Sequence, residues 1–184
     1  MSSHAVRDAR PDGRAVYGIL AAVTSEESAT PHLLELLGDL LGALERRDYE
    51  EAMSYFGPDP VWDMSAIGTG IFSGPKAIRG LLEDWNGSYE EWTCEAEEVC
   101  DLGRGIVLVV LNERGRPVGS TARVQLRYAL VAALAQGMIV RTRSYLDVDH
   151  ARAAAERLAC SPSRGSGPSP SIASGERPDT DENQ

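Results

Sequence analysis

Cysteine is scarce in this sequence, and the few cysteines present do not form a recognisable set. Cys94, Cys100 and Cys160 are an odd number, and no two of them are separated by two residues. This pattern argues against both a disulfide framework and a zinc motif. We predict no metal site and no cofactor. Cys94 and Cys100 lie in one predicted strand at an even spacing, so we interpret them as small buried residues that point the same way.

Long apolar runs and an excess of basic residues are also lacking. No apolar stretch approaches the roughly 20 residues that span a bilayer, and the segment AVYGILAAV (15–23) lacks the flanks of a signal peptide. Acidic residues outnumber basic ones by 28 to 18, which gives a formal net charge of −10. Such a surface repels phosphate, so we predict neither nucleic acid nor a membrane as partner. We expect a cytoplasmic protein.

The two ends of the chain contain few large apolar residues, and this sets the predicted domain boundaries. Residues 1–13 and 160–184 are dominated by small, polar and charged residues with proline and glycine. Such segments bury too little apolar surface to offset the entropy lost on ordering. We therefore predict two disordered tails and one folded domain at 30–159. Residues 14–29 form a lead-in segment to which the sequence assigns neither helix nor strand.

The first half of the folded part has the periodicity of three helices. Residues 30–48 carry leucines at helical spacing, with Thr30 as a plausible N-cap. A second helix is predicted at 48–57, capped by Asp48 and ended by Gly57 and Pro58. The segment PVWDM (60–64) is typical of a short strand, and GPKAIRGLLEDW (74–85) of a third helix.

The second half is typical of an antiparallel meander. We predict strands around 89–103 and 105–115, with NERGRP (112–117) as the turn after the second. Residues 120–149 are interpreted as two long strands joined at Ala135–Gly137, followed by a helix at 149–159 capped by Asp149. Helices segregated from a meander indicate an α+β fold. Here that means a conical, curved antiparallel sheet packed against three N-terminal helices.

Three segments occur in an order that resembles a known family. They are LLGALERRDYEEAMSYFGPDPVWDM (40–64), FSGPKAIRGLLEDW (72–85) and AQGMIVRTRSYLDVDHARAAAERL (135–158). Together they resemble SnoaL-like domains of the nuclear-transport-factor-2-like superfamily over residues 30–159. The resemblance implies a cone with an apolar pocket, often in a homodimer formed through the outer sheet face. Ketosteroid isomerases, polyketide cyclases, limonene-epoxide hydrolases and pure binding modules all share this fold, so the fold alone does not give the function.

The resemblance to ketosteroid isomerases places their functional positions on apolar residues. Those enzymes remove a proton next to a carbonyl with a carboxylate, while hydrogen-bond donors hold the enolate. Here the three positions fall on Leu40, Met64 and near Leu130. Asp63 is one residue away from the base position, and a shift of one residue in a strand turns a side chain to the other face. Asp63 is therefore either a general base or a strand residue that points to solvent.

Alternation along the predicted strands sorts their residues into two faces, and the resemblance implies which of these faces lines the pocket. Because its lining is mostly apolar with a few neutral polar groups, the pocket suits a small apolar molecule held by two or three hydrogen bonds. The alternative is that large side chains fill the cone as ordinary core. The predicted ligand-binding residues are Trp62, Met64, Trp85, Asn112, Leu130, Thr142 and Ser144, with Tyr128 on the same side.

The opposite face of the predicted sheet carries Arg123, Arg127, Arg141 and Arg143. These arginines have two candidate partners of opposite charge. They pair either with the acidic segment 90–98 of a second copy, as part of a homodimer interface, or with acids of the same chain across neighbouring strands.

Three hypotheses about function remain open. The first is a protein that binds a small apolar molecule without established catalysis. The second is an isomerase or cyclase that acts by proton transfer on a polyketide, steroid-like or terpenoid substrate, with Asp63 as base and Tyr128 or Asn112 as hydrogen-bond donor. The third is a non-catalytic dimerisation module with a filled cone.

Overall fold

The structure is a computed structural model that describes residues 31–161. Thr30, the predicted lead-in segment and nearly all of both predicted tails lie outside these residues. Within 31–161, no helix is long and apolar enough to cross a membrane. The same residues contain no group of three or more His, Cys, Asp or Glu side chains that could hold a metal ion.

Four α-helices form where the apolar periodicity predicts them, with small differences at their ends. They are α1 (Pro31–Glu45), α2 (Tyr49–Ser54), α3 (Pro75–Gly87) and α4 (Val148–Cys160). Asp48 caps α2 as predicted, since its Oδ1 accepts a hydrogen bond from the Glu51 amide at 3.0 Å. The predicted cap of α4 is wrong by two residues. Asp147, not Asp149, accepts from the His150 amide at 3.0 Å.

Six strands form one curved sheet, and this confirms the α+β class with helices packed on a conical sheet. The order across the sheet is β2-β1-β6-β5-β4-β3. Neighbouring strands are antiparallel except β1 and β6, which are parallel. The strands are β1 (Phe56–Asp63), β2 (Ile71–Ser73), β3 (Tyr89–Asp101), β4 (Ile106–Pro117), β5 (Val124–Ala135) and β6 (Met138–Tyr145).

Two turns decide the register of the long strands. The hairpin between β5 and β6 is confirmed at its predicted place, where Gln136 and Gly137 adopt φ of 53° and 77°, the left-handed region that tight hairpin turns require. The predicted turn at 112–117 is wrong. Those residues continue β4 and pair with β3 as far as Pro117. Gly57 and Pro58, predicted to end a helix, are likewise part of β1.

Both faces of the sheet centre are buried. On the inner face, Leu33 and Leu37 of α1 pack on Val107, Val109 and Leu111 of β4. On the outer face, the alanines of α4 pack on the alternate residues of the same strand, Leu108 and Val110. Strand β4 is therefore apolar on both sides, as expected for a strand covered on two faces.

The two buried cysteines of β3 point to opposite sides of the sheet. Cys94 belongs to the inner core and Cys100 to the outer one. Their predicted common direction is wrong because the register of β3 against β4 shifts between Ala96 and Glu98. A β-bulge of this kind inserts one residue and inverts the alternation beyond it.

Candidate functional site

The inner face of the sheet, α1 and α3 line a cavity of about 70 Å³ that is partly open to the surface. Its wall is almost wholly apolar, and its aromatic residues come from β1, α3, β3 and β5. The lining residues used below are Leu40, Trp62, Met64, Trp85, Trp92 and Tyr128. This part of the cone is therefore hollow.

A second apolar cavity of about 50 Å³ lies next to the first, under α1. The two cavities share four lining residues, Leu37, Leu40, Trp62 and Leu130. These four side chains form the partition between them. Trp62 is held in the partition by a hydrogen bond, because its Nε1 donates to the Ser144 hydroxyl at 3.0 Å.

A buried carboxylate, Glu113 of β4, lies directly behind the aromatic wall of the first cavity. Its side chain is only 2 % exposed. Trp85 Nε1 and Trp92 Nε1 both donate to its Oε1 at 2.7 Å, and the Tyr128 hydroxyl donates to its Oε2 at 3.3 Å. Side chains from α3, β3 and β5 thus converge on one acid, which fixes three residues of the cavity wall.

Glu113 has no cationic partner among residues 31–161. Each ion pair among these residues joins an arginine to an acid other than Glu113. Burial raises the pKa of the Glu113 carboxyl above its usual value of 4.5, and the hydrogen bonds from Trp92, Trp85 and Tyr128 only partly oppose this. Burial also raises the pKa of the Tyr128 hydroxyl well above 10 and that of the Cys94 thiol. The tyrosine and cysteine are therefore neutral at physiological pH.

The sequence of the chain matches the model of a known domain family. Residues 38–142, more than half of the chain, match the SnoaL-like domain family. The chain belongs to this family. No curated protein matches it at a significant level.

Several solved structures share the fold of this SnoaL-like domain. A Catenulispora acidiphila protein with a ketosteroid isomerase-like fold, in complex with trimethylamine, is 16% identical with a TM-score of 0.56, over 64% of this chain and 86% of that one. A Mycobacterium tuberculosis protein in complex with estradiol-17beta-hemisuccinate is 15% identical with a TM-score of 0.54, over 64% and 95%. A limonene-epoxide-hydrolase-like enzyme from M. tuberculosis is 20% identical with a TM-score of 0.51, over 67% and 88%. Identities this low establish the shared fold only.

The structure of the SnoaL-like domain places most of the predicted lining residues at the two cavities. Trp62, Met64, Trp85, Leu130 and Tyr128 line the first cavity, and Thr142 lines the second. Ser144 holds Trp62. The three isomerase positions, at Leu40, Met64 and Leu130, all lie in the wall of the first cavity and are apolar.

Asn112 does not face the cavity, and its predicted orientation is wrong. Its side-chain amide donates to Glu97 at 2.8 Å and accepts from Gln125 at 2.8 Å on the outer face. The next residue, Glu113, takes the inward position instead. The alternation of Val107, Val109 and Leu111 on the inner face, continued by two residues, is the signal that points to Glu113.

Asp63 and Tyr128 lie on opposite sides of the sheet, so the structure does not bring the predicted base and donor together. The Asp63 carboxylate is 3.3 Å from the Arg143 guanidinium and accepts from the Ser65 amide at 3.0 Å. The pKa of Asp63 is lowered, first by the Ser65 hydrogen bonds and then by the arginines. A carboxylate with a lowered pKa is a weak base.

Three of the four predicted outer-face arginines pair within the chain, which is one of the two alternatives left open by the sequence. Arg123 pairs with Glu91 at 2.5 Å, Arg127 with Glu97 at 2.6 Å, and Arg143 with Asp63. Arg143 also lines a groove of about 680 Å³ between the outer sheet face and α4. The acids of segment 90–98 are thus engaged by their own chain.

Proposed function

We propose that this SnoaL-like domain binds a small organic molecule with a largely apolar body inside the cone. The observation that carries the proposal is the cavity between α1, α3 and the inner sheet face, whose aromatic wall is fixed by Glu113. Concave apolar sites with a few converging polar groups are the usual form of small-molecule sites. Two structures of similar fold contain a small molecule, trimethylamine in one and estradiol-17beta-hemisuccinate in the other, and this supports the proposal.

The sizes of the cavities limit what this site accepts without rearrangement. An engineered apolar cavity of about 150 Å³ is known to bind benzene, and each cavity here is smaller. A one-ring ligand therefore requires the two cavities to join. A side-chain rotation in the partition, at Leu37, Leu40 or Leu130 or at the hydrogen-bonded Trp62, would join them.

A thermal-shift screen tests the binding proposal. We expect at least one class in a panel of benzene-sized, terpenoid and steroid-like compounds to stabilise the wild-type protein, by about 2.7 kcal/mol at 100 times its dissociation constant. Asp63→Asn, on the outer face, should respond equally, whereas Leu130→Phe, which fills the partition, should lose the response. If no compound stabilises the wild type, the cavities do not bind compounds of these classes, and the dimerisation module becomes the better hypothesis. If Leu130→Phe responds fully, the ligand binds elsewhere.

An enzyme acting by proton transfer is the second candidate, and Glu113 is the residue that favours it. Enzymes of this kind need a carboxylate whose pKa is raised toward neutrality. Glu113 meets this condition and is hydrogen-bonded to Tyr128 of the cavity wall. Isomerisation or cyclisation of a bound compound by the wild type, absent in Glu113→Gln, would make this the leading function. Binding without turnover supports the first proposal.

We further propose that the protein acts as a cytoplasmic homodimer formed through the outer sheet face. The groove beside α4 is lined by Arg143 and Tyr145 and by Ile71 and Leu158, which are 63 % and 52 % exposed. Burial of such exposed apolar side chains favours association. Sedimentation should give a dimer for the wild type and a monomer for Leu158→Asp. Val118→Asp, at a residue 61 % exposed in the loop after β4, should remain dimeric, and a monomeric wild type would refute the proposal.

A further inference from the structure

Glu113 is a buried acid that has no cationic partner among the described residues. The side chain is almost fully buried, and its three hydrogen-bond donors, two indoles and a phenol, are all neutral. A buried ionised carboxylate is costly unless a cation accompanies it. By contrast, Glu91, Glu97 and Asp63 each have an arginine nitrogen within 4.0 Å. Glu113 therefore either keeps its proton or, when ionised, is accompanied by a cation from outside the described part of the chain.

The cavity in front of Glu113 has the composition of a site for an organic cation. Trp85, Trp92 and Tyr128 line it, and each donates its polar hydrogen to Glu113. These hydrogens are consequently not available to a ligand, and the rings present mainly carbon. Hydrogen bonding to an anion polarises a donor, which increases the electron density of its ring. Electron-rich tryptophan and tyrosine rings attract cations at about 0.5–2 kcal/mol each.

We propose that the site, with its two cavities joined, selects an alkylated ammonium ion, tertiary or quaternary, over a neutral molecule of the same shape. This rests on the proposed function and adds the chemical class of the ligand. The apolar wall offers few acceptors, so a primary ammonium, with three N–H groups, would leave donors unsatisfied. A quaternary nitrogen has no N–H group, and its methyl groups pack on carbon. Its charge is attracted by the aromatic rings and by Glu113 behind them.

Choline and 3,3-dimethylbutan-1-ol test the proposal, because they have the same shape and differ in a charged nitrogen against a neutral carbon. Calorimetric titration of the full chain should show choline binding at least tenfold more tightly than the alcohol. In Glu113→Gln, which keeps the size and hydrogen-bonding capacity of the side chain, that preference should fall to about threefold or less. Glu95→Gln removes the same charge from the outer face, where Glu95 is 3.5 Å from Arg114, and should keep the full preference.

Each outcome decides between the two proposals. If the alcohol binds the wild type as tightly as choline, the cavity binds ligands but has no selectivity for cations, and only this inference falls. The same holds if Glu113→Gln keeps the preference. If neither probe binds and no compound stabilises the protein in the thermal-shift screen, the proposed function falls as well. The wild-type comparison alone refutes the inference even if Glu113→Gln fails to fold.

Discussion

Replacement of Glu113 by alanine is expected to lower the free energy of unfolding by roughly 3 kcal/mol or more. The substitution leaves the indole hydrogens of Trp85 and Trp92 and the Tyr128 hydroxyl without their acceptor. Each buried donor without a partner costs about 1–3 kcal/mol. Chemical denaturation measures the loss. Glu95→Ala, which removes only a half-exposed ion pair, should change stability by less than about 0.5 kcal/mol.

Glu113→Gln separates the hydrogen bonds of this side chain from its charge. The glutamine oxygen can accept from both indoles while its amide donates to the Tyr128 oxygen, so the fold should be kept. Because the pKa of Glu113 is raised in the folded state, the wild type loses stability as pH rises from about 4.5 through that pKa, and the glutamine variant does not. Acids whose pKa is lowered, such as Glu90 and Glu97, contribute stability that is lost as pH falls. This loss is the same in both proteins.

Denaturation of both proteins between roughly pH 4 and pH 8 measures this difference. The stability of Glu113→Gln relative to the wild type should grow from about pH 4.5 up to the folded-state pKa of Glu113 and then level off. Parallel curves would mean that folding leaves the Glu113 pKa unchanged and that burial does not disfavour its charged form. An alanine variant as stable as the wild type would mean that water replaces the carboxylate, and that Glu113 does not organise the aromatic wall.

Most of the fold could be predicted because its signals are local in the sequence. The leucines of α1 recur at helical spacing, and the turn at Gln136 and Gly137 separates two runs of strand-forming residues. Strand β2 and the parallel pairing of β1 with β6 were not predicted. The first has only three residues, and the second joins segments far apart in the chain. Neither leaves a periodic pattern in a short window.

The site was harder to predict because β4 is buried on both faces. Alternation assigns a face only when one side is polar, but Leu108 and Leu111 point to opposite sides and both are buried. The polar residues Asn112 and Glu113 then resembled the start of a turn, although both are buried in the strand. The acid that organises the cavity wall could therefore be found only by continuing the inner-face alternation past Leu111, whereas Trp62 and Leu130 were placed by the strands that carry them.

The turn before β4 determines which of these residues faces inward, and Gly105 is the critical residue in it. Gly105 has φ of 75°, and its carbonyl accepts from the Leu134 amide of β5 at 2.7 Å. A Cβ at this position would lie 2.4 Å from the Leu134 carbonyl oxygen. An alanine here therefore combines an unfavourable φ with a clash against backbone. We expect Gly105→Ala to cost roughly 2–5 kcal/mol of stability.

Gly103 provides the matched control in the same turn. It has φ of 78°, but a Cβ there would meet no atom within 4 Å. Gly103→Ala should therefore cost only the backbone strain, about 1–2 kcal/mol. Equal losses in the two variants, measured by chemical denaturation, would show that the contact with Leu134 is not rigid. A larger loss at Gly105 would show that the turn is fixed against β5. That contact protects the register, because a slip of one residue in β4 would turn Glu113 away from the cavity.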